Sequence, residues 1–228
     1  MLKELSDRGD TTTSTYIDPG ADTKEGYEIS KRSRTLAREA VGDKTAEDRV
    51  RQRCSVAVGD FSMAALLRFG HDPVPAMLAA LRAGAPIITD IRMVQAGIQK
   101  KGHTSEILCA LDFSAEIAQD RGITRSSAGF VALRDRLDGS IVVIGNAPSA
   151  LLTLCAFVQE GIRPAVIIGT PVGFVNASES KELLRTLDIP SVSTEGTRGG
   201  TPVAVAAVNE CITCFIEGSG DEGPGHRL

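Results

Sequence analysis

Ile141-Val142-Val143-Ile144-Gly145-Asn146-Ala147-Pro148-Ser149-Ala150-Leu151 is the stretch whose reading decides the fold. A run of β-branched residues this short suits a strand covered on both faces. Gly145 permits a tight turn, and Pro148 suits the first position of a helix, where a missing N–H leaves nothing unpaired. An apolar helical pattern then continues from Pro148 to Glu160. Strand, short turn, helix is the unit from which parallel α/β sheets are built.

The same unit recurs outward in both directions. Further short apolar runs are Pro86–Thr89, Glu106–Ala110, Ala165–Ile168 and Ser191–Ser193. Helical patterns cover Tyr27–Glu39, Thr45–Val56, Asp72–Arg82, Thr124–Leu137, Ser178–Leu187 and Pro202–Phe215. Thr45-Ala46-Glu47-Asp48 reads as a helix start with acidic residues in its first turn. Asp72 reads as an N-cap and Gly84 as a stop. The alternation predicts a three-layer α/β/α domain: a doubly wound, mostly parallel sheet of about five strands, with an N-terminal helical segment and right-handed crossovers. Residues 23–216 form that single domain. Residues 1–22 read as a disordered polar segment and 217–228 as a flexible tail, since both are polar and rich in glycine.

Composition narrows the function. The formal net charge is −4, with no concentrated Lys or Arg, which argues against a nucleic-acid or anionic-membrane partner. An acidic ligand stays compatible, because a pocket can be locally basic. No apolar run approaches the roughly 20 residues that span a bilayer, and the N-terminus lacks a signal-peptide core, so the sequence reads as cytoplasmic. Five scattered cysteines suit reduced thiols. Cys211-Ile212-Thr213-Cys214 has no second pair to complete a zinc site and sits late in a helix, so it reads as two small buried residues. No metal site is predicted.

In open α/β sheets ligands bind beyond the carboxyl ends of the strands. The loops there are Thr89-Asp90-Ile91-Arg92-Met93, Gly145–Ser149, Gly169–Phe174 and Glu195–Thr201. Gly145–Pro148 is either an ordinary turn or, through a helix N-terminus, an anion site. Val172, Phe174 and Val175 either pack within their own loop or cover a ligand or partner chain. Arg198-Gly199-Gly200-Thr201 offers a cation and backbone amides ahead of a helix, and Thr124-Arg125-Ser126 a second cation among hydroxyls. Each alone suits a solvated cap; together they suit a polycarboxylate. His71, His103 and His226 read as surface residues, with no triad or two-histidine spacing.

These loops also carry a resemblance. Gly145-Asn146-Ala147-Pro148-Ser149-Ala150-Leu151 resembles the GNAPTAL stretch of precorrin-8X methylmutases. Pro171-Val172-Gly173-Phe174-Val175-Asn176-Ala177-Ser178-Glu179-Ser180-Lys181 is similar to their PVGFVGAAESK. Ile123-Thr124-Arg125-Ser126 matches their TRS motif, Thr89-Asp90 with Met93 their TD-x-x-M turn, and Tyr27-Glu28-Ile29-Ser30 their YE-x-S. Gly199-Gly200 followed by Ala204, Ala206, Ala207 and Asn209 resembles their glycine-led helix.

The resemblance implies an isomerase of cobalamin biosynthesis. It moves a methyl group from C11 to C12 of precorrin-8X, or of the cobalt-containing counterpart, without an organic cofactor. It also implies a homodimer with sites near the subunit interface. The substrate-binding residues implied are Ser30, Thr89, Asp90, Met93, Thr124, Arg125, Ser126, Asn146, Ala147, Pro148, Pro171, Val172, Gly173, Arg198, Gly199 and Gly200. Arg125, Arg198 and the amides of the Gly145–Pro148 loop would meet carboxylates, and Pro171–Val175 would wall the macrocycle. The family's proton donor is a histidine, suited by its near-neutral pKa. Asp60-Phe61 fixes the register and puts Val56 in that place. A replacement donor would be His103 or Asp60, or Ser55 or Cys54 under a shifted register. The alternative to catalysis is a homologue that binds or carries a corrinoid; a nucleotide or sugar-acid binder on the same scaffold is a third reading.

Overall fold

Two threonines set the N-terminal helices. Thr23 accepts a hydrogen bond from Gly26 N (3.1 Å) to start α1, Lys24–Val41. Thr45 and Asp48 form a reciprocal capping box at the start of α2, Ala46–Val58, as the acidic first turn predicts. The computed structural model describes residues 23–220; the predicted N-terminal segment 1–22 and residues 221–228, with His226, lie outside them.

The sheet has six strands: β1 Leu67–Gly70, β2 Ile87–Thr89, β3 Ile107–Cys109, β4 Ile141–Ile144, β5 Val166–Gly169 and β6 Ser191–Thr194. Their order is β1-β6-β5-β4-β2-β3. β1 runs antiparallel to β6 and the others are parallel. The helices between are α3 Met63–Leu66, α4 Pro73–Arg82, α5 Arg92–Gly97, α6 Ala115–Arg121, α7 Arg125–Ala132, α8 Pro148–Gln159, α9 Ala177–Arg185 and α10 Thr201–Gly220.

Strand alternation produces the three layers. Ile141, Val143, Val166 and Ile168 pack with side chains of α2, α4, α5 and α10. Their neighbours Val142, Ile144 and Ile167 pack with α7, α8 and α9. Burying both faces is what requires the uninterrupted apolar runs.

Four details differ from the sequence expectation. β1 adds a sixth strand: as an antiparallel edge it has one neighbour, so Leu67-Arg68-Phe69-Gly70 needs no apolar run. Asp72 sits in the left-handed region and makes no capping bond; Pro73 opens α4 instead. The predicted Thr124–Leu137 helix tightens into a 3-10 turn at Arg134–Arg136 after α7. α10 continues through Gly220, past the predicted start of the tail, and Glu217 on it pairs with Arg49 at 2.6 Å. Cys211 and Cys214 lie on α10, buried and half-buried.

The N-terminal helices are joined to α10 by charge. Glu210 has no exposed side-chain surface and accepts from Arg34 of α1 (2.9 Å), and from Arg49 (2.8 Å) and Arg53 (3.2 Å) of α2. Removing the acid leaves half-buried guanidinium groups facing one another. Glu210→Ala is therefore expected to lose about 3 kcal/mol of stability, read as a lowered urea midpoint.

Candidate functional site

From β2 the chain runs outward to β3, then returns to β4 on the other side of β2. The following helices leave to opposite faces: α5 places Val94 in the α10 layer, and α8 places Leu151 in the other. The crevice outside the ends of β2 and β4 is thus where strand order reverses, the place at which open α/β sheets hold ligands.

A buried carboxylate spans this crevice. Asp90, directly after β2, accepts from Gly145 N (3.2 Å), Asn146 N (2.8 Å) and Ala147 N (2.9 Å), directly after β4. Burial raises its carboxyl above the ordinary value, while these backbone N–H groups pull it back down. Asp90 therefore stands where an N-cap side chain would; Ala147, the N-cap of α8, supplies none. The Asp90 carboxylate is thus turned to protein, and the amides of the Gly145–Ala147 turn already have an acceptor. Thr89 is likewise spent internally, donating to Leu108 O at 3.0 Å from a fully buried position. Asp90→Asn replaces one acceptor oxygen by a donor facing backbone N–H. It is expected to destabilise the fold by about 2 kcal/mol, measured by denaturant unfolding.

The start of α7 closes on the same crevice. Thr124 caps α7 by accepting from Ser127 N (3.2 Å), and its hydroxyl meets Ser149 Oγ of α8 at 2.8 Å. Ser126 is buried behind it, whereas Arg125 is exposed and forms no ion pair among the described residues. Met93, in the first turn of α5, is 66% exposed. Asn146 is exposed, and Ala147 and Pro148 are half-buried.

The loops after β5 and β6 are zipped together. Gly200 N donates to Thr170 O (2.7 Å) and Gly173 N to Thr197 O (3.1 Å). Gly199 passes so close that a Cβ on it would lie 2.3 Å from Thr170 O. Pro171 is buried. Val172 is exposed, and beyond it Phe174 is 95% and Val175 76% exposed, so this loop does not pack within itself.

Arg198 reaches from the β6–α10 loop to the turn after α2. It pairs with Asp60 and donates to Ser62 Oγ at 3.1 Å. Ser62 was not among the sequence candidates; Asp60-x-Ser62 ahead of a helix is the signal that marks it. Hydrogen bonds from Ser62 and from Arg198 lower the Asp60 carboxyl to about 2. A carboxylate held ionised at neutral pH has no proton to give, which removes Asp60 as a donor.

His103 is removed by place. It precedes β3, its Nδ1 accepts from Ser105 N (3.2 Å), and its Nε2 faces Gln99 O (2.7 Å). It lies at the amino end of the parallel strands, separated from the crevice by the length of β3, about 10 Å. His71 sits at the same end of the sheet, against the opposite edge strand β1 and beside Asp188 (3.2 Å). Ser55 donates to Arg51 O (2.8 Å), and burial pushes the Cys54 thiol well up. Val56 is exposed near the end of α2, one turn before Asp60. Ser30 is half-buried on α1, one turn before Arg34.

Comparison with known proteins agrees with this architecture. Residues 28–214 match the family described as precorrin-8X methylmutase. A cobalt-precorrin-8 methylmutase of Methanocaldococcus jannaschii is 40% identical over 205 residues, which cover 85% of this chain and 96% of that protein. A precorrin-8X methylmutase of Pseudomonas aeruginosa is 42% identical over 154 residues, 64% of this chain and 74% of its own. The crystal structure of the precorrin-8X methylmutase from Thermus thermophilus superposes with a TM-score of 0.78 at 34% identity, covering 84% of this chain and 97% of that one. The match extends over every element from α1 to α10, and the chain belongs to the precorrin-8X methylmutase family.

Proposed function

We propose that the protein is an isomerase of cobalamin biosynthesis that shifts a methyl group from C11 to C12 of a precorrin-8X-type tetrapyrrole bound over the β2/β4 crevice. The observation that carries this is the exposed cation Arg125 with exposed Met93 at the point where strand order reverses, and exposed Val172, Phe174 and Val175 on the loop after the neighbouring strand β5. A flat apolar macrocycle with peripheral carboxylates fits such a surface.

The reaction is intramolecular. The methyl carbon leaves C11 and bonds C12, and any proton lent to the macrocycle is returned, so no oxidant or leaving group enters. What this chain supplies is position. Asp90 fixes the floor of the crevice, Thr124 and Ser149 tie its two helices, and Arg125 holds a carboxylate. Arg198 serves a second carboxylate once it shares its guanidinium with Asp60. The lent proton has no histidine source at the crevice among the described residues, because His71 and His103 lie at the opposite end of the strands.

That last observation favours a second reading, a corrinoid-binding homologue without turnover. A visible absorption time course with precorrin-8X separates the two, since methyl migration changes the conjugation of the macrocycle. Progressive conversion supports the isomerase. A single shift on mixing, then a constant spectrum, supports the carrier. Val56→His is expected to raise the rate roughly 10²–10⁴-fold, the usual contribution of one general acid; a folded, corrinoid-binding variant with no gain sinks the assignment of Val56 to the donor's place. Arg125→Ala is expected to weaken corrinoid affinity roughly tenfold with no change in unfolding midpoint. Unchanged affinity removes Arg125 from the carboxylate site.

We assign the protein to the cytoplasm and to a homodimer. The first is supported by the absence, among the described residues, of a helix long and apolar enough to cross a membrane. The second is supported by the exposure of Phe174 and Val175 beside the crevice, and sedimentation equilibrium reads it.

A further inference from the structure

Lys181 on α9 is a fully buried side chain. Its ammonium donates to Thr194 Oγ1 (3.0 Å) and to the Arg198 carbonyl oxygen (2.8 Å). The Thr194 hydroxyl in turn donates to the same carbonyl at 2.6 Å. Two donors, one from α9 and one from β6, thus meet at one carbonyl oxygen of the β6–α10 loop. No carboxylate pairs with the ammonium among the described residues, and the charge that acts on it, Arg185 one turn along α9, has the same sign. Burial and Arg185 hold the amine down at about 8.

A buried cation with neutral acceptors only is a poor device for stability. Its desolvation is not repaid, and an apolar side chain of the same length would hold the fold as well or better. What the ammonium does that an apolar chain cannot is fix the carbonyl of Arg198. The next residue, Gly199, passes the β5 loop with almost no clearance, and Gly200 N is bonded to Thr170 O of that loop, so the conformation of this turn is set between Arg198 and those contacts.

We propose that Lys181 is a positioning residue: through Thr194 and the Arg198 carbonyl it holds the Arg198-Gly199-Gly200 turn in the form that presents Arg198 to an anionic ligand. The anion being a corrinoid carboxylate rests on the function proposed above; the hold on the turn does not.

Lys181→Met tests it. The variant is expected to keep or raise its unfolding midpoint, while backbone amide exchange at Gly200 and Gly173 accelerates roughly tenfold or more. Affinity for hydrogenobyrinic acid, the polycarboxylate tetrapyrrole that the proposed methyl shift would yield, is expected to fall roughly tenfold, and affinity for its fully esterified, uncharged form to stay unchanged. A purely structural lysine would move both ligands alike. Should Lys181→Met fail to fold, the pair Thr194→Val and Thr194→Ser replaces it: the first is expected to reproduce the fast exchange, the second to keep wild-type exchange. Wild-type exchange at Gly200 in both Lys181→Met and Thr194→Val overturns the proposal. A wild-type protein that binds no corrinoid overturns the corrinoid site instead, and the exchange data still decide whether Lys181 holds the turn.

Discussion

The Asp90 carboxylate is the contact on which the rest of the site depends. At the reversal of strand order the chain must leave β2 toward one face and β4 toward the other. That divergence opens a crevice and strands the amides at the start of α8. A ligand could satisfy them, but this protein does so itself, with one acid from the neighbouring strand end. The consequence is preorganisation. The floor of the crevice is complete before any ligand arrives, and it is closed to ligand anions. What the fold leaves exposed is the rim, with Arg125, Arg198 and the apolar side chains.

The rim is built on the same plan of internal fixation. The β5 and β6 loops satisfy each other's backbone through Gly173 and Gly200, and α9 reaches under them with Lys181 and Arg185. Far from the crevice, Glu210 locks α1 and α2 to α10. Because α2 ends at Val58, just before the Asp60 turn, that lock also sets where the turn that pairs with Arg198 is placed.

How much of this was legible in the sequence differs by kind. β2 to β5 were, because strands covered on both faces are rich in apolar residues and such runs stand out; β6, Ser191–Thr194, is buried with mostly polar side chains and showed only as a short run before a glycine loop. β1 was not, because an edge strand with Arg68 and Gly70 leaves no periodic trace. The site loops were recognisable by their motifs and by their position at strand ends. Their roles were less so. Whether a carboxylate such as Asp90 meets a ligand or a backbone N–H is decided by residues 55 positions away, and a sequence does not show that pairing. The same holds for Thr89, Asp60 and Lys181, each polar, each in a motif, and each turned toward protein. His103 illustrates the converse: its chemistry suited a donor, but it stands before β3, and the crevice lies beyond the far end of the strands.

The Asp60–Arg198 pair follows from these constraints in a way that bears on binding. Both groups are largely in solvent, and exposed ion pairs contribute little to stability because water and salt screen them. Such a pair is easily exchanged. A ligand carboxylate approaching Arg198 loses little by displacing Asp60, and guanidinium has enough N–H donors to serve both. The buried bonds beneath, from Lys181 and Thr194 to the Arg198 carbonyl, are the opposite kind: shielded and costly to break. The backbone of the turn is thereby fixed while its side chain stays exchangeable. A site that must admit and release a large polyanion needs that division, since a rigid turn keeps the geometry and a loosely held cation keeps the exit open.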